Sequence, residues 1–595
     1  MVTAAYTAAA AGYSKQVQWL IEIDLDRCSN HYTDNGGPST CGASDAGDGL
    51  RCWYSFETCQ DPTNYTKTTR TYRFCLNEVP WDDTATVVYP LLRKMVSVPQ
   101  RVDPGKLFAY PENVSLEFAL DHDPLVVDSD KTLFNTAIGT GEWWHNLFSR
   151  NRNYPGRAVR IKRGFAADGF VLADFEQIGP EYRIKAVRFD SDTCIVNVES
   201  PLADLAKRQI PMPISDDNLL QADINDAVTS LTVDNASEFP DPADYSRVTL
   251  YVEVASEIIS YTARDTGTNI LSGLGRGAFG TSAAAHLAGD NLKVSHVCCF
   301  GTATGGPTYM TEVLQDLLEW AGIAVADVNT ATFDAVKAAA YPNLEIQRIV
   351  RKSKKVAQLV QQLREVRGVI VYIDQGGQFA ASVMGPSVDA TVLDDDSFIE
   401  GSMVVEEDEE TRITRVGMYY DPTVEDAKDP VEFGKAVIVI NVDLENANSF
   451  GDQREDVVLD HWTFDNQTLA SVRNIARRII TRRGHGIRTF TFELEVKDGL
   501  LNVGDERAIQ TRHLTGIDGA QLARPVLVTA RQEVGHAKVE YEAVDTNYNG
   551  AYYRFAPDTT TEDWDNATEA ERQYGYDGDN NNRLGATLVS GFIFW

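Results

Sequence analysis

The stretch "RCWYSFETCQDPTNYTKTTRTYRFC", residues 51–75, holds three of the chain's eight cysteines. Cys28 and Cys41 lie just upstream, giving the order Cys28-x12-Cys41-x10-Cys52-x6-Cys59-x15-Cys75. Between them stand Gly36, Gly37, Pro38, Gly42, Gly47 and Gly49, among many Asn, Asp and Ser residues. A segment so poor in aliphatic side chains cannot build a core of its own, and it needs a cross-link or a metal to hold one shape. Disulfides suit an oxidising compartment, and five thiols cannot all pair. Structural zinc prefers paired C-x2–4-C knuckles, which this segment lacks. An iron–sulfur cluster needs four thiolates meeting at one point and tolerates irregular spacing. Spacing alone leaves all three open.

The remaining chain bounds these choices. At 595 residues it should hold roughly three to five domains. Its hydrophobic fraction of 43% and charged fraction of 24% are those of a globular protein. No apolar run approaches the ~20 residues needed to cross a bilayer. The opening "MVTAAYTAAAAGYSKQVQW" reads as a small-residue arm rather than a signal peptide, so folding in a cytosol is expected. The net charge of −33 argues against binding DNA or RNA through phosphate contacts, which require clustered Lys and Arg.

The order of residues in "CSNHYTDNGGPSTC…GLRCWYSFETCQDPTNYTK…TYRFC" resembles a tail-hub family of long non-contractile-tailed bacteriophages. That family is similar to the tail-tip proteins of lambda-like phages and to gene-transfer-agent hubs. Trp53-Tyr54-Ser55 departs from the family's commoner Asn-Thr pair without touching a cysteine. The resemblance implies a [4Fe–4S] cluster, with structural zinc as the alternative, held by four of Cys28, Cys41, Cys52, Cys59 and Cys75. Cys52 and Cys59 match the close pair of the lambda-like proteins; Cys75 and Cys28 compete as the spare. It also implies a mainly β protein with α+β hub domains, assembled as a homotrimer whose duplicated domains form a pseudo-sixfold ring. Such a hub sits in the virion at the tail tip, after assembly in the bacterial host cytoplasm. Its expected neighbours are a distal tail ring protein, the tail tube, the tape-measure protein and central fibre or receptor-binding proteins. Contact with the host cell surface would be indirect, and genomic DNA would pass without specific binding.

On this reading the chain divides into an arm (1–20), the cysteine-rich segment (21–90), a β-rich ring domain (91–216), an inserted small β-domain (217–299), an α+β hub domain (300–400), a β-rich hub domain with one helix (401–545) and a C-terminal extension (546–595). "VSLEFALDHD", "YRIKAVRF" and "TCIVNVES" alternate as half-buried strands. Asp121-His122-Asp123 and Trp143-Trp144-His145 look like metal ligands, but in the family the matching segments are architecture. The glycines of "GLGRGAFGT" lack the spacing and the Lys-Ser or Lys-Thr of a phosphate loop and read as turn glycines, with His286 a turn residue satisfied by backbone groups. Met310, Val313, Leu314, Leu317 and Leu318 share one helical face, and Val356, Leu359, Val360 and Leu363 another. "GVIVYIDQGGQF" reads as a hairpin. "VVEEDEETR" (404–412) reads as a solvated turn, and Leu469, Val472, Ile475 and Ile479 as the buried stripe of an arginine-rich helix. Cys194 is a buried strand residue, and the adjacent Cys298 and Cys299 cannot face one core.

No enzyme is expected. The chain has no H-E-x-x-H zinc site, no Gly-x-Ser-x-Gly elbow between strand and helix, and no papain-like surroundings for its cysteines. The rival readings are a cell-wall hydrolase fused to a hub and a disulfide-stapled secreted adhesin.

Overall fold

The computed structural model describes residues 16–29, 55–59, 61–76, 88–94, 96–102, 113–120, 143–166, 172, 175–215, 217–301, 308–340, 345–365, 369–374, 377–383, 391–408, 412–423, 427, 429–440, 453–458, 463–464, 472, 476, 479–480, 483–484, 487–496, 501–515, 519–535 and 538–546. The protein is mainly β, built from several sheets with helices concentrated in residues 308–365.

The first sheet starts at Gln16–Cys28, a strand whose odd positions from Val17 to Leu25 are apolar and whose even positions from Glu22 to Asp26 are acidic. Trp19, Ile21, Ile23 and Leu25 enter one core with Phe74, Phe118, Trp144 and Ile161. This strand pairs antiparallel with Lys67–Cys75 on one side and Ala158–Ala166 on the other. The strands flanking the cysteine loop therefore belong to the same sheet as the segment beyond it, which continues through Tyr182–Phe189, Thr193–Glu199 and Asn113–Ala119.

A second, larger core joins the small β-domain to the helical zone. Leu250, Val252, Ile259 and Cys298 share it with Leu314, Leu317, Val356 and Leu359. The strand Val294–Phe300 makes the link, pairing with Leu250–Val254 and also with Glu345–Val350. The helices Met310–Trp320 and Val356–Glu365 bury all nine residues of their expected stripes. Val369–Ile373 and Phe379–Val383 form the expected hairpin, with Gly377 at φ +79° supplying the left-handed turn.

The C-terminal sheet runs in the order Val392–Asp394, Glu506–Thr515, Gln521–Gly535, Lys538–Asp545, Ile487–Glu495, Val404–Asp408. One expectation is corrected here. Residues 404–408 of the acidic run are a strand paired with Ile487–Glu495, not a turn; the ladder sets Glu407 opposite Arg488, which offsets its charge across the strands. In the arginine-rich helix, Val472, Ala476 and Ile480 are buried while Ile479 packs only partly; Leu469 and Ile475 lie outside the described residues. Val472 and Ile479 of the expected stripe thus join this cluster, with Ala476 and Ile480 beside them.

Candidate functional site

The register of the first two strands decides how the cysteines can meet. Leu20 faces Cys75 and Cys28 faces Lys67, so the two cysteines sit eight pairing positions apart on this ladder. At ~3.4 Å per residue that separation is about 27 Å. Both side chains are buried, at opposite ends of the strand pair. They cannot ligate one metal centre together.

Cys59 lies at the Cys28 end. The ladder closes beyond Cys28 with Ser29 N–H donating to Thr66 O at 2.8 Å. Tyr65 then packs edge-on against Phe56 at 5.3 Å, and Phe56 and Glu57 line a small crevice with Leu25 and Asp26. Burial raises the Tyr65 phenol to about 12, with the negative charges of Asp26 and Glu57 adding to the effect. Residues 55–59 form a tight turn: Ser55 and Thr58 hydroxyls are 2.9 Å apart, and Cys59 N–H donates to Phe56 O. Cys41 and Cys52 lie outside the described residues, as does Asp121-His122-Asp123. Among the described residues no group of three or more His, Cys, Asp or Glu is placed to hold a metal.

The face of the sheet that carries Cys28 is an ion ladder which sequence reading missed. Glu22 accepts from Arg73 Nε at 2.9 Å and Arg160 Nε at 3.0 Å, with Lys162 Nζ at 3.0 Å. Arg160 also spans both oxygens of Asp24 at 2.8 Å, while Lys67 and Arg157 pair with Asp26. Burial alone would raise the Glu22 carboxyl, but the hydrogen bonds from Lys162 and Arg160 hold it down at about 2. The signal was present as Glu22-x-Asp24-x-Asp26, acids at the strand period flanked by basic strands.

The other flagged residues are structural. Trp144 stacks on Phe74 at 4.9 Å, and His145 stacks on Phe189 at 3.8 Å. Cys194 is fully buried in its strand, and burial pushes its thiol up to about 12. Cys298 and Cys299 enter different clusters. Gly273, Gly277 and Gly280 adopt positive φ, as turn glycines do. His286 differs from expectation: its backbone exchanges hydrogen bonds with Ile224, but its Nε2 meets the Glu257 carboxylate at 2.8 Å. Glu257 also accepts from Arg276 Nε and Nη2, each at 2.7 Å, and from the N–H groups of Gly277 and Ala284. A buried carboxylate requires such partners, so the turn is organised by charge rather than by backbone alone.

No family model matches the chain, and no curated protein matches it. Among solved structures it is similar to the 43 kDa tail protein of prophage MuSo2 from Shewanella oneidensis, at 11% identity and a TM-score of 0.36, covering 76% of this chain and 93% of that one. A tail protein from Neisseria meningitidis aligns at 10% identity and a TM-score of 0.34, over 77% of this chain and 92% of its own. A chain from the virion of a native gene transfer agent particle aligns at 16% identity and 0.29, over 43% of this chain and 50% of its own. At these scores the overlaps define neither a shared fold nor a shared function.

Proposed function

We propose that the protein is a non-enzymatic structural component of a bacteriophage virion, the homotrimeric hub that closes the distal end of the tail tube and opens for DNA ejection. The resemblance of the cysteine segment supports this reading, and the β-rich, multi-sheet architecture is compatible with it. Its partners would be the distal ring, tube, tape-measure and fibre proteins. The acid surplus then has a mechanical use, since an acidic lumen repels polyanionic DNA and lets it slide.

The same reading assigns a [4Fe–4S] cluster to Cys28, Cys41, Cys52 and Cys59. The observation that carries this choice is the strand register, which leaves Cys75 about 27 Å from Cys28. The cluster would staple a loop-rich segment and contribute several kcal/mol to folding, as structural metals do. Elemental analysis of purified particles tests it. Iron and a brown absorbance are expected in the native protein, with both lost in the Cys52→Ser, Cys59→Ser double variant. Particles without iron would overturn the cluster, and zinc in its place would select the alternative. A reconstruction of the purified oligomer should show threefold symmetry; a monomer inside intact particles would remove the hub assignment.

A further inference from the structure

The C-terminal sheet carries a cleft of about 260 Å³, far along the chain from the cysteine segment. It opens between the edge pair formed by Val404–Asp408 with Ile487–Glu495 and the hairpin Glu506–Thr515 with Gln521–Gly535. That hairpin breaks its own ladder there. Gln510 faces Ala523 and Thr515 faces Gln521, so residues 511–514 arch out opposite Leu522 alone. Asp395 fixes the arch, accepting from Thr511 Oγ1 at 2.6 Å and from the Arg512 N–H at 3.0 Å. Wide bulges of this kind re-aim side chains beside functional sites.

The lining is cationic over an apolar floor. Arg488, Arg524 and His513 face the cleft with one acid, Glu407, while Val405, Leu514 and Leu522 supply the floor. Glu407 meets Arg488 at 3.4 Å, a loose contact on a partly exposed pair. Arg524 is half-buried and makes no ion pair or side-chain hydrogen bond among the described residues.

We propose that this cleft binds a carboxylate carried on a short aliphatic stem, taken by the Arg524 guanidinium with Arg488 beside it, the stem lying on Val405, Leu514 and Leu522. A planar guanidinium presents two parallel N–H donors that match the two oxygens of a carboxylate. The volume is below that of a drug-sized pocket and suits one side chain or a small dicarboxylate. The site is independent of the cysteine segment and of the virion assignment.

Calorimetric titration of the full-length oligomer tests it with three probes: glutarate, a blocked peptide bearing one glutamate, and inorganic phosphate. Saturable binding of glutarate or of the peptide is expected, weakened about tenfold or more in Arg524→Gln and less in Arg524→Lys, which keeps charge but loses the fork. Because Arg524 has no side-chain partner among the described residues, both variants should fold as the native chain does, which circular dichroism checks. Binding by glutarate alone points to a free metabolite, and binding by the peptide to an acidic side chain of a neighbouring protein; either supports the site. Absence of binding at millimolar concentration, equal binding to Arg524→Gln, or tighter binding of phosphate than of either carboxylate would overturn it.

Discussion

Two loop-rich regions of this protein are held by different means. In residues 217–299, turns far apart in sequence converge on Glu257, which takes donors from Arg276, Gly277, Ala284 and His286 in a site whose side chains are almost fully buried. In the cysteine segment, hydrogen bonds within residues 55–65 include short-range ones: Ser55 to Thr58, and Thr63 and Asn64 to Asp61. Those ties span two or three residues and lie at or near the surface. They fix the local turns. The small domain carries its staple in ordinary side chains; the cysteine segment keeps its concentrated chemistry in thiols.

The sharpest way to break that comparison is to remove the ordinary staple. Glu257→Ala leaves the Arg276 guanidinium buried without its counter-charge, a change that costs about 3–5 kcal/mol in comparable buried pairs. Denaturant unfolding should show the loss, and limited proteolysis should find new cleavage between residues 275 and 287. Glu257→Gln keeps the shape and should cost less. If Glu257→Ala unfolds with native-like stability, the turns of this domain are held by their apolar packing and the contrast with the cysteine segment disappears.

Acid titration is the next test, with a smaller expected effect. Burial would raise the Glu257 carboxyl, but Arg276, His286 and two backbone N–H groups hold it at about 2, and Glu22 is held at about 2 in the ion ladder. A carboxylate whose folded value lies below its unfolded value stabilises the protein fully above the unfolded value, near 4.5. The contribution is lost as pH falls from there towards 2. Unfolding followed between pH 6 and 2 should therefore steepen below about 4.5. Glu22→Gln should flatten that slope, and an unchanged slope would mean the ladder is screened by solvent.

The helices and strands were largely legible because their period is local. Met310 to Leu318 and Val356 to Leu363 announce their buried faces within ten residues, and the structure buries them all. The polar centres were not legible for the opposite reason. Glu257 meets Arg276 and His286 across turns of nineteen and twenty-nine residues, a convergence that no periodicity encodes. The Glu22 ladder is intermediate: its acids alternate visibly in one strand, but the bases that neutralise them arrive from strands 51 and 138 residues away. The cysteines could be read as a set, yet the strand register separates Cys75 from Cys28.

That separation gives the prediction with the smallest effect, and the one that most sharpens the comparison. On the proposed cluster assignment, Cys75→Ala should retain iron at the native level, since Cys75 faces Leu20 at the end of the ladder remote from Cys28. Its side chain is 1% exposed, so the cost is that of trimming a small buried group, about 1 kcal/mol. Cys28→Ala trims an equally small and nearly as buried group, yet it should lose the iron. Burial is thus matched between the two variants, and iron measured per polypeptide reports position alone. A Cys75→Ala protein without iron beside a Cys28→Ala protein that keeps it would place the centre at the other end of the sheet, where the strand register leaves Cys28 out of reach.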